Sequence, residues 1–196
     1  MRRDELDELH YITPISNIPS ICDLGILSHR RAASVDHDSI AMPQIQDRRA
    51  DVEVPGGRPL HEYVNLYICA RNPMMYKRRS RHAELSVLRV SADVLDLPGV
   101  VVTDANASSS YRRFAAAPRG LSTVDRELTF ADDWRDNDYF EYLRKKSAKC
   151  AEVLVPNCVP PRFLMGAYVS CEDARDLLDA LGVSLATTIN SHLFFR

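Results

Sequence analysis

The segment Tyr63-Val64-Asn65-Leu66-Tyr67-Ile68-Cys69 combines aromatic and β-branched side chains in a way that predicts a β-strand. Residues 151–155 (Ala-Glu-Val-Leu-Val) predict a second strand, and their nearly continuous apolar run indicates that it is buried. Further strands are predicted at residues 10–13, 85–90, 100–103 and 163–169, with a last one near residues 192–195. The strands therefore fall in several groups along the whole chain.

Helix signals lie between these strands. Ser16 and Asn17 stand before Ile18-Pro19, which is typical of a helix start, and Gly25 suits the residue after its end. Further helices are predicted within residues 39–50 and at residues 91–97, 139–149 and 172–181, whereas residues 105–138 read as a polar loop anchored by Trp134. Strands in groups with helices around them predict an α+β fold. A length of 196 residues predicts a single domain over residues 1–196.

The composition is that of a folded globular protein, since 45% of the residues are hydrophobic and 27% are charged. The N-terminal residues are polar with no apolar segment behind them, so no signal peptide is expected, and no apolar run approaches the length of a membrane span. We therefore expect a cytoplasmic protein with no membrane partner. Five scattered cysteines and six scattered histidines lack the spacing of a disulfide framework or a metal site, so no metal is expected.

Positive charge is concentrated in one part of the chain. The formal net charge is −2, yet residues 71–119 hold nine basic and four acidic residues, a net of +5 that leaves −7 for the rest. Met74-Met75-Tyr76 precede Lys77-Arg78-Arg79, and soft or aromatic surfaces beside cations suit stacked, single-stranded bases. Charge alone leaves two readings open, a polyanion-binding face and a solvated loop.

Two single residues are candidates for chemistry. Glu152 lies at the start of the buried strand, where a carboxylate is either exposed at a sheet edge, the commoner case, or kept at a functional site. Arg48 and Arg49 lie in a long segment without clear periodicity, where a guanidinium could reach a phosphate or a carboxylate. The ordinary alternative for the two arginines is a solvated pair on a helix.

Six blocks of sequence resemble one family when they are taken in order along the chain. They are residues 10–18, 40–49, 60–67, 71–76, 97–104 and 149–155, of which the stretch 60–76 and the Ala-Glu strand are the most specific. On these blocks the chain resembles the DarT toxins, which are the DNA ADP-ribosyltransferases of DarT–DarG toxin–antitoxin systems.

The resemblance implies a compact ADP-ribosyltransferase fold, a split β-sandwich with surrounding helices that holds NAD in its cleft beside single-stranded DNA. The implied reaction transfers ADP-ribose from NAD to a DNA base and releases nicotinamide, and the implied partner is a DarG-type macrodomain antitoxin. By position, Arg49 and Glu152 resemble the catalytic pair, and residues 106–152 resemble the substrate-recognition loop. The implied NAD-binding residues are Tyr11, Ile12, Thr13, Asn17, Ser20 and Tyr67, and the implied DNA-binding residues are Arg71, Met74 and Asn106.

Two positions depart from the family pattern. Many relatives carry His where this chain has Tyr11 and where it has Asn106. Because Asn106 cannot shuttle a proton, the modified base, guanosine or thymidine, is left open with a preference for guanosine. Two other functions also stay open: an ADP-ribosyltransferase acting on protein or RNA, and a non-catalytic module that binds single-stranded nucleic acid through residues 71–119.

Overall fold

A computed structural model describes residues 1–196, and it is built on one large open sheet. The strands are β1 (Glu8–Pro14), β2 (Ile26–Leu27), β3 (Tyr63–Tyr67), β4 (Leu85–Ser91), β5 (Val101–Thr103), β6 (Phe114–Ala116), β7 (Glu152–Pro156), β8 (Cys158–Val159), β9 (Leu164–Val169) and β10 (Thr187–Ile189). The α-helices are α1 (Ile18–Leu24), α2 (His29–Ala32), α3 (Pro43–Ala50), α4 (Pro73–Lys77), α5 (Arg126–Phe130), α6 (Tyr139–Ala148) and α7 (Glu172–Asp179). Strands and helices mixed in this way confirm the predicted α+β class.

Short 3-10 helices connect several of these elements. They are Arg3–Glu5, Ile15–Asn17, Leu60–Glu62, Arg79–Glu84, Ala92–Asp96, Arg119–Thr123, Pro161–Phe163 and Ser191–Phe194. The predicted helix after Ser91 is one of them, and the Ser91 hydroxyl caps it by accepting a hydrogen bond from the Asp93 N–H at 3.2 Å. No helix in the structure has the length and apolar character needed to cross a lipid bilayer.

The large sheet has the strand order β10-β9-β4-β1-β3-β7-β5-β6, and only β9 and β10 run parallel. β1 pairs with β4 along its whole length, but it pairs with β3 at one position, His10 opposite Tyr67. Because β1 and β3 are antiparallel, residues 11–14 and 63–66 separate on the same side of that pair. The sheet is therefore split along this line.

Both faces of the sheet are covered by apolar side chains. On one face Leu66 and Leu88 pack in a cluster with Ile18 of α1 and Leu178 of α7, all almost completely buried. On the other face Val87 packs in a second cluster that includes residues from α4 and from the C-terminal turn. Burial of each large apolar side chain stabilises the fold by about 1.5–3 kcal/mol.

Gly25 ends α1 as predicted, and its backbone φ of +82° explains why. A Cβ at this position would lie 2.3 Å from the carbonyl oxygen of Val159, in addition to the strain of a left-handed conformation. Glycine therefore lets α1 turn directly into β2, which pairs with β8.

Two sequence expectations are wrong. Residues 191–194 form a 3-10 turn and not a strand, because Phe194 turns inward to be fully buried; the final strand is Thr187–Ile189. Residues 105–138 are not one loop, since they contain β6 and α5. β6 has too few residues to show an alternating apolar and polar pattern, and it is a strand because it pairs with β5. The anchoring role of Trp134 is confirmed, because its ring is buried against Tyr76.

Candidate active site

A cleft of about 1420 Å³ opens where β1 and β3 separate. Its walls come from β1, β3, α3, the turn that follows β5, and α6. Ligand pockets for drug-sized molecules commonly measure roughly 300–1,000 Å³. The cleft is therefore large enough for a dinucleotide together with part of a second substrate.

A buried ion pair lies directly beneath the cleft, where Arg49 belongs to the cleft lining and Glu152 lies behind it, outside the lining. Both Nη atoms of Arg49, on α3, donate to the Glu152 carboxylate, with three nitrogen–oxygen distances of 3.2 Å. The side chain of Glu152 is completely buried and that of Arg49 is 7% exposed. The two residues are separated by 103 positions in sequence, so only the fold brings them together.

The strand order decides between the alternatives for these residues. β7 lies between β3 and β5, with Glu152 opposite Tyr67 on one side and opposite Thr103 on the other, so the sheet-edge alternative for Glu152 is wrong. The alternative of two solvated arginines on a helix is right for Arg48, which is exposed. It is wrong for Arg49, which is buried on the inner side of α3. The helix thus presents one arginine to solvent and the next to the carboxylate.

The surroundings of Glu152 set its protonation behaviour. Burial raises the pKa of Glu152, while the charge and hydrogen bonds of Arg49 and a weak bond from the Ala107 N–H at 3.4 Å oppose the rise. Burial and the nearby carboxylate raise the pKa of Tyr67 well above its usual range, so its phenol stays protonated. The site therefore contains an anion of raised basicity beside a neutral hydroxyl donor.

The backbone of Glu152 is also fixed. Its N–H donates to the Thr103 hydroxyl at 3.3 Å, and that hydroxyl donates to the carbonyl of Ala105 at 2.7 Å. These bonds tie the start of β7 to the turn after β5. They hold the carboxylate in one position beneath the cleft.

Most of the predicted NAD-binding residues line the cleft, but one does not. Those that line it are Tyr11, Ile12, Thr13 and Asn17 from the β1–α1 region and Tyr67 from β3. The Asn17 amide donates to the Thr13 hydroxyl at 3.1 Å and to the Asp38 carbonyl at 2.8 Å. These bonds tie β1 to the segment around Asp38 on the opposite side of Asn17. Ser20 lies outside the lining, and its hydroxyl donates to the Asn17 carbonyl within α1.

Two of the three predicted DNA-binding residues line the cleft, and the third does not. Met74 and Asn106 line the cleft, and the Asn106 side chain accepts hydrogen bonds from the N–H and hydroxyl of Ser108 at 2.9 and 2.6 Å. Arg71 lies outside the cleft lining. Its guanidinium stacks on the ring of Phe195 at 3.9 Å and donates to the carbonyl of His192, so it holds the C-terminal turn.

The sequence did not point to a pair of histidines that also line the cleft. The rings of His29 and His61 lie 4.2 Å apart, and the Nε2 atom of His61 is buried without a partner. Burial lowers the pKa of both imidazoles, and the charge of Arg49 adds to this effect, so both are neutral at neutral pH. His61 falls inside a motif-like block, but no spacing rule relates it to His29.

The chain matches over residues 10–195 the family model described as "ssDNA thymidine ADP-ribosyltransferase, DarT". It belongs to the DarT family. The resemblance inferred from the six sequence blocks is thereby confirmed.

Relatives and solved structures agree with this assignment. The chain is 34% identical over 203 residues to a DNA ADP-ribosyl transferase–DNA ADP-ribosyl glycohydrolase fusion protein of Thermosipho africanus, a match that covers 96% of this chain and 49% of that one. This chain thus spans about half the length of that relative. It is also 34% identical over 163 residues to a DNA ADP-ribosyl transferase of a Thermus species, covering 78% of this chain and 76% of the relative.

Among solved structures, the chain is similar to Thermus sp. 2.9 DarT in complex with ADP-ribosylated ssDNA. The TM-score is 0.84 at 26% identity, and the match covers 97% of each chain. The same Thermus protein in complex with NAD+ has a TM-score of 0.79 at 25% identity, covering 97% of this chain and 98% of that one. The DarT-family fold therefore extends over almost the whole described chain.

Proposed function

We propose that this chain transfers the ADP-ribosyl group of NAD to a base in single-stranded DNA and releases nicotinamide. The observation that carries the proposal is the buried Arg49–Glu152 pair directly beneath a split-sheet cleft, in a chain of the DarT family. Solved complexes of Thermus DarT with NAD+ and with ADP-ribosylated ssDNA support both substrates.

NAD supplies the nicotinamide–ribose bond that breaks and the ADP-ribosyl group that is transferred. Breaking that bond develops positive charge on the ribose carbon, and Glu152 offers a fixed carboxylate that stabilises such charge without reorganising. Its raised pKa also makes it a better proton acceptor than an exposed glutamate, which suits removal of a proton from the attacking base. We therefore assign Glu152 to both tasks.

Arg49 keeps Glu152 charged and has donors to spare. A guanidinium carries five N–H donors, and the bonds to Glu152 involve only the Nη atoms, so the Nε–H is left over for a diphosphate bound in the cleft that Arg49 lines. Loss of Arg49 would thus affect both the binding of NAD and the ionisation of the catalytic carboxylate.

Other lining residues fit the nicotinamide end of NAD. Burial raises the pKa of Tyr11, as it does for Tyr67, so both rings present neutral, flat surfaces with a hydroxyl donor. Thr13 and Asn17 are already held in place by their mutual hydrogen bond at 3.1 Å. Prearranged groups of this kind lower the cost of ordering a ligand.

We further propose that the chain is the toxin of a toxin–antitoxin pair, with a DarG-type macrodomain glycohydrolase as its partner. The fused glycohydrolase of the Thermosipho relative supports this pairing. The proposal takes residues 1–196 as one catalytic domain, since the sheet uses strands from Glu8 to Ile189. The cytoplasm is the proposed compartment, because NAD and DNA are both present there.

The test is incubation of the purified protein with NAD and a random-sequence single-stranded oligonucleotide, followed by intact mass spectrometry. We expect the DNA to gain one ADP-ribose with wild type and none with Glu152→Gln, while Glu127→Gln, an exposed glutamate on α5, serves as the matched control. Fragmentation of the product names the base, which tests the guanosine preference drawn from Tyr11 and Asn106.

Three outcomes would contradict the proposal. Full transfer by a folded Glu152→Gln variant would remove the catalytic role of the carboxylate. Consumption of NAD with unmodified DNA would move the acceptor to protein or RNA. Binding of DNA without consumption of NAD would leave a non-catalytic binding module.

A further inference from the structure

Two large aromatic side chains stand in solvent at the mouth of the cleft. Tyr111 is 92% exposed and Phe140 is 78% exposed, and both line the cleft. Tyr139 is the preceding residue on α6 and is 66% exposed, but it does not line the cleft. Because both rings are exposed and also line the cleft, both are available to a ligand bound there.

Hydrogen bonds fix the backbone segments that carry the two rings. α6 is capped by Asp138, which accepts a hydrogen bond from the Glu141 N–H at 2.9 Å, and Phe140, Leu143 and Ser147 follow one face of this helix at positions that line the cleft. The N–H of Asn106 donates to the Ser147 carbonyl at 3.2 Å. This bond joins α6 to the turn that carries the second ring.

That turn is itself held by charged hydrogen bonds. Arg112 donates to the carbonyl of Ser109 at 2.6 Å, and Arg113 donates to the Asp104 carboxylate at 2.6 Å. Tyr111 therefore projects from a turn whose backbone is already ordered, so less of the chain must be ordered when a ligand binds.

The cleft is positive although the chain is not. Seven basic and five acidic residues line it, whereas the whole chain carries −2. Four of the basic residues have no carboxylate within ion-pair distance: Arg48, Lys77, Arg78 and Lys146. Cations without a carboxylate partner in the same cleft as exposed rings are the combination that single-stranded nucleic acid binds, while protein interfaces are depleted in lysine.

We propose that Tyr111 and Phe140 form a stacking platform for the nucleotides that flank the target base, with the free cations meeting the phosphates. The inference rests on the proposed function and specifies how the acceptor is held. Because every base has a flat face, stacking holds the neighbours without reading their identity. The acceptor must then be unpaired beyond the target base itself, since paired neighbours cannot stack on the rings.

The test compares Tyr111→Ala and Phe140→Ala with two other variants, because the Tyr139 ring packs against the Phe140 ring and cannot serve as a control. Phe130→Ala removes a 40% exposed ring on α5 outside the cleft lining, and Phe140→Trp keeps a ring. Affinity for a labelled single-stranded oligonucleotide of roughly ten nucleotides is measured by fluorescence anisotropy without NAD. We expect each cleft-side alanine variant to bind at least about fivefold more weakly. Phe130→Ala and Phe140→Trp should bind as wild type does.

The result separates this inference from the proposed reaction. Wild-type affinity in both cleft-side alanine variants overturns the platform, as does an equal loss in Phe130→Ala, which would show that removal of any exposed ring weakens binding. The KM for DNA in the transfer reaction should rise in the same variants with kcat little changed. If the wild type binds the oligonucleotide but transfers no ADP-ribose to it, the proposed reaction is contradicted and the stacking platform is not.

Discussion

Arg49→Ala should be far more destabilising than the loss of an ordinary surface ion pair. Exposed pairs contribute about 0.2–1 kcal/mol, because water screens them and the side chains must be ordered. Arg49 is 7% exposed and Glu152 is completely buried, and the three contacts between them measure 3.2 Å. Removing one partner of such a pair leaves a buried charge alone and costs about 3–5 kcal/mol.

The cost should depend on pH in a direction that the structure fixes. Burial already raises the pKa of Glu152 above 4.5, and loss of the opposing guanidinium in Arg49→Ala raises it further. A folded-state pKa above the unfolded value means that the folded state holds the proton more tightly. Stability of the variant should therefore fall as pH rises from 4.5 through the raised pKa, more steeply than in wild type.

The assay is urea unfolding of wild type, Arg49→Ala and Arg49→Ala/Glu152→Gln at about pH 5 and about pH 8. We expect the single variant to lose less stability at the lower pH, where more of its carboxyl is protonated. The double variant should recover much of the loss and lose the pH dependence, because the amide carries no charge. A single variant within about 1 kcal/mol of wild type at the higher pH, or one with equal losses at both, would refute the reasoning.

Two further predictions concern other parts of the molecule. Burial raises the pKa of Glu8, but hydrogen bonds from three neighbouring side chains, Arg89 at 2.6 Å among them, outweigh burial and lower it to about 2. The stability from Glu8 should be full above pH 4.5 and lost as pH falls towards 2, so acid unfolding curves of Glu8→Gln should be flatter there; an unchanged curve would contradict this. Arg71→Ala should lower the free energy of unfolding by about 1 kcal/mol through loss of the stack on Phe195. Fluorescence anisotropy on the same variant tests the DNA contact predicted for Arg71 from the sequence. Weaker DNA binding at unchanged stability would mean that Arg71 contacts DNA and does not hold the C-terminal turn.

Strands with strong local patterns were predictable from sequence, and those created by pairing were not. Residues 63–69 and 151–155 carry enough aromatic or β-branched character to predict β3 and β7. β6 has three residues and exists because β5 offers it an edge. A strand was predicted near residues 192–195, yet Phe194 is buried in a turn against the sheet.

The candidate site was predictable only as separate residues. The sequence indicated Glu152 and Arg49, but whether Glu152 is at an edge depends on β5, about fifty positions away. His29 and His61 meet only because α2 packs against the turn before β3, and no local pattern carries that information. Residues 106–152 resembled a recognition loop, but the exposure of Phe140 at the cleft mouth is a property of how α6 is docked.

The single pairing between β1 and β3 has a consequence for how a ligand is recognised. Within the sheet, two half-sheets of four strands meet at His10 and Tyr67 alone, and beyond that point the peptide groups of both edges face the opening. Peptide N–H and C=O groups that lack a strand partner are available to a ligand that carries a hydrogen-bond donor and acceptor. Main-chain groups are the same whatever side chain a residue carries. Substitutions such as Tyr at position 11 can therefore occur on these edges without changing the main-chain N–H and C=O groups beside the opening.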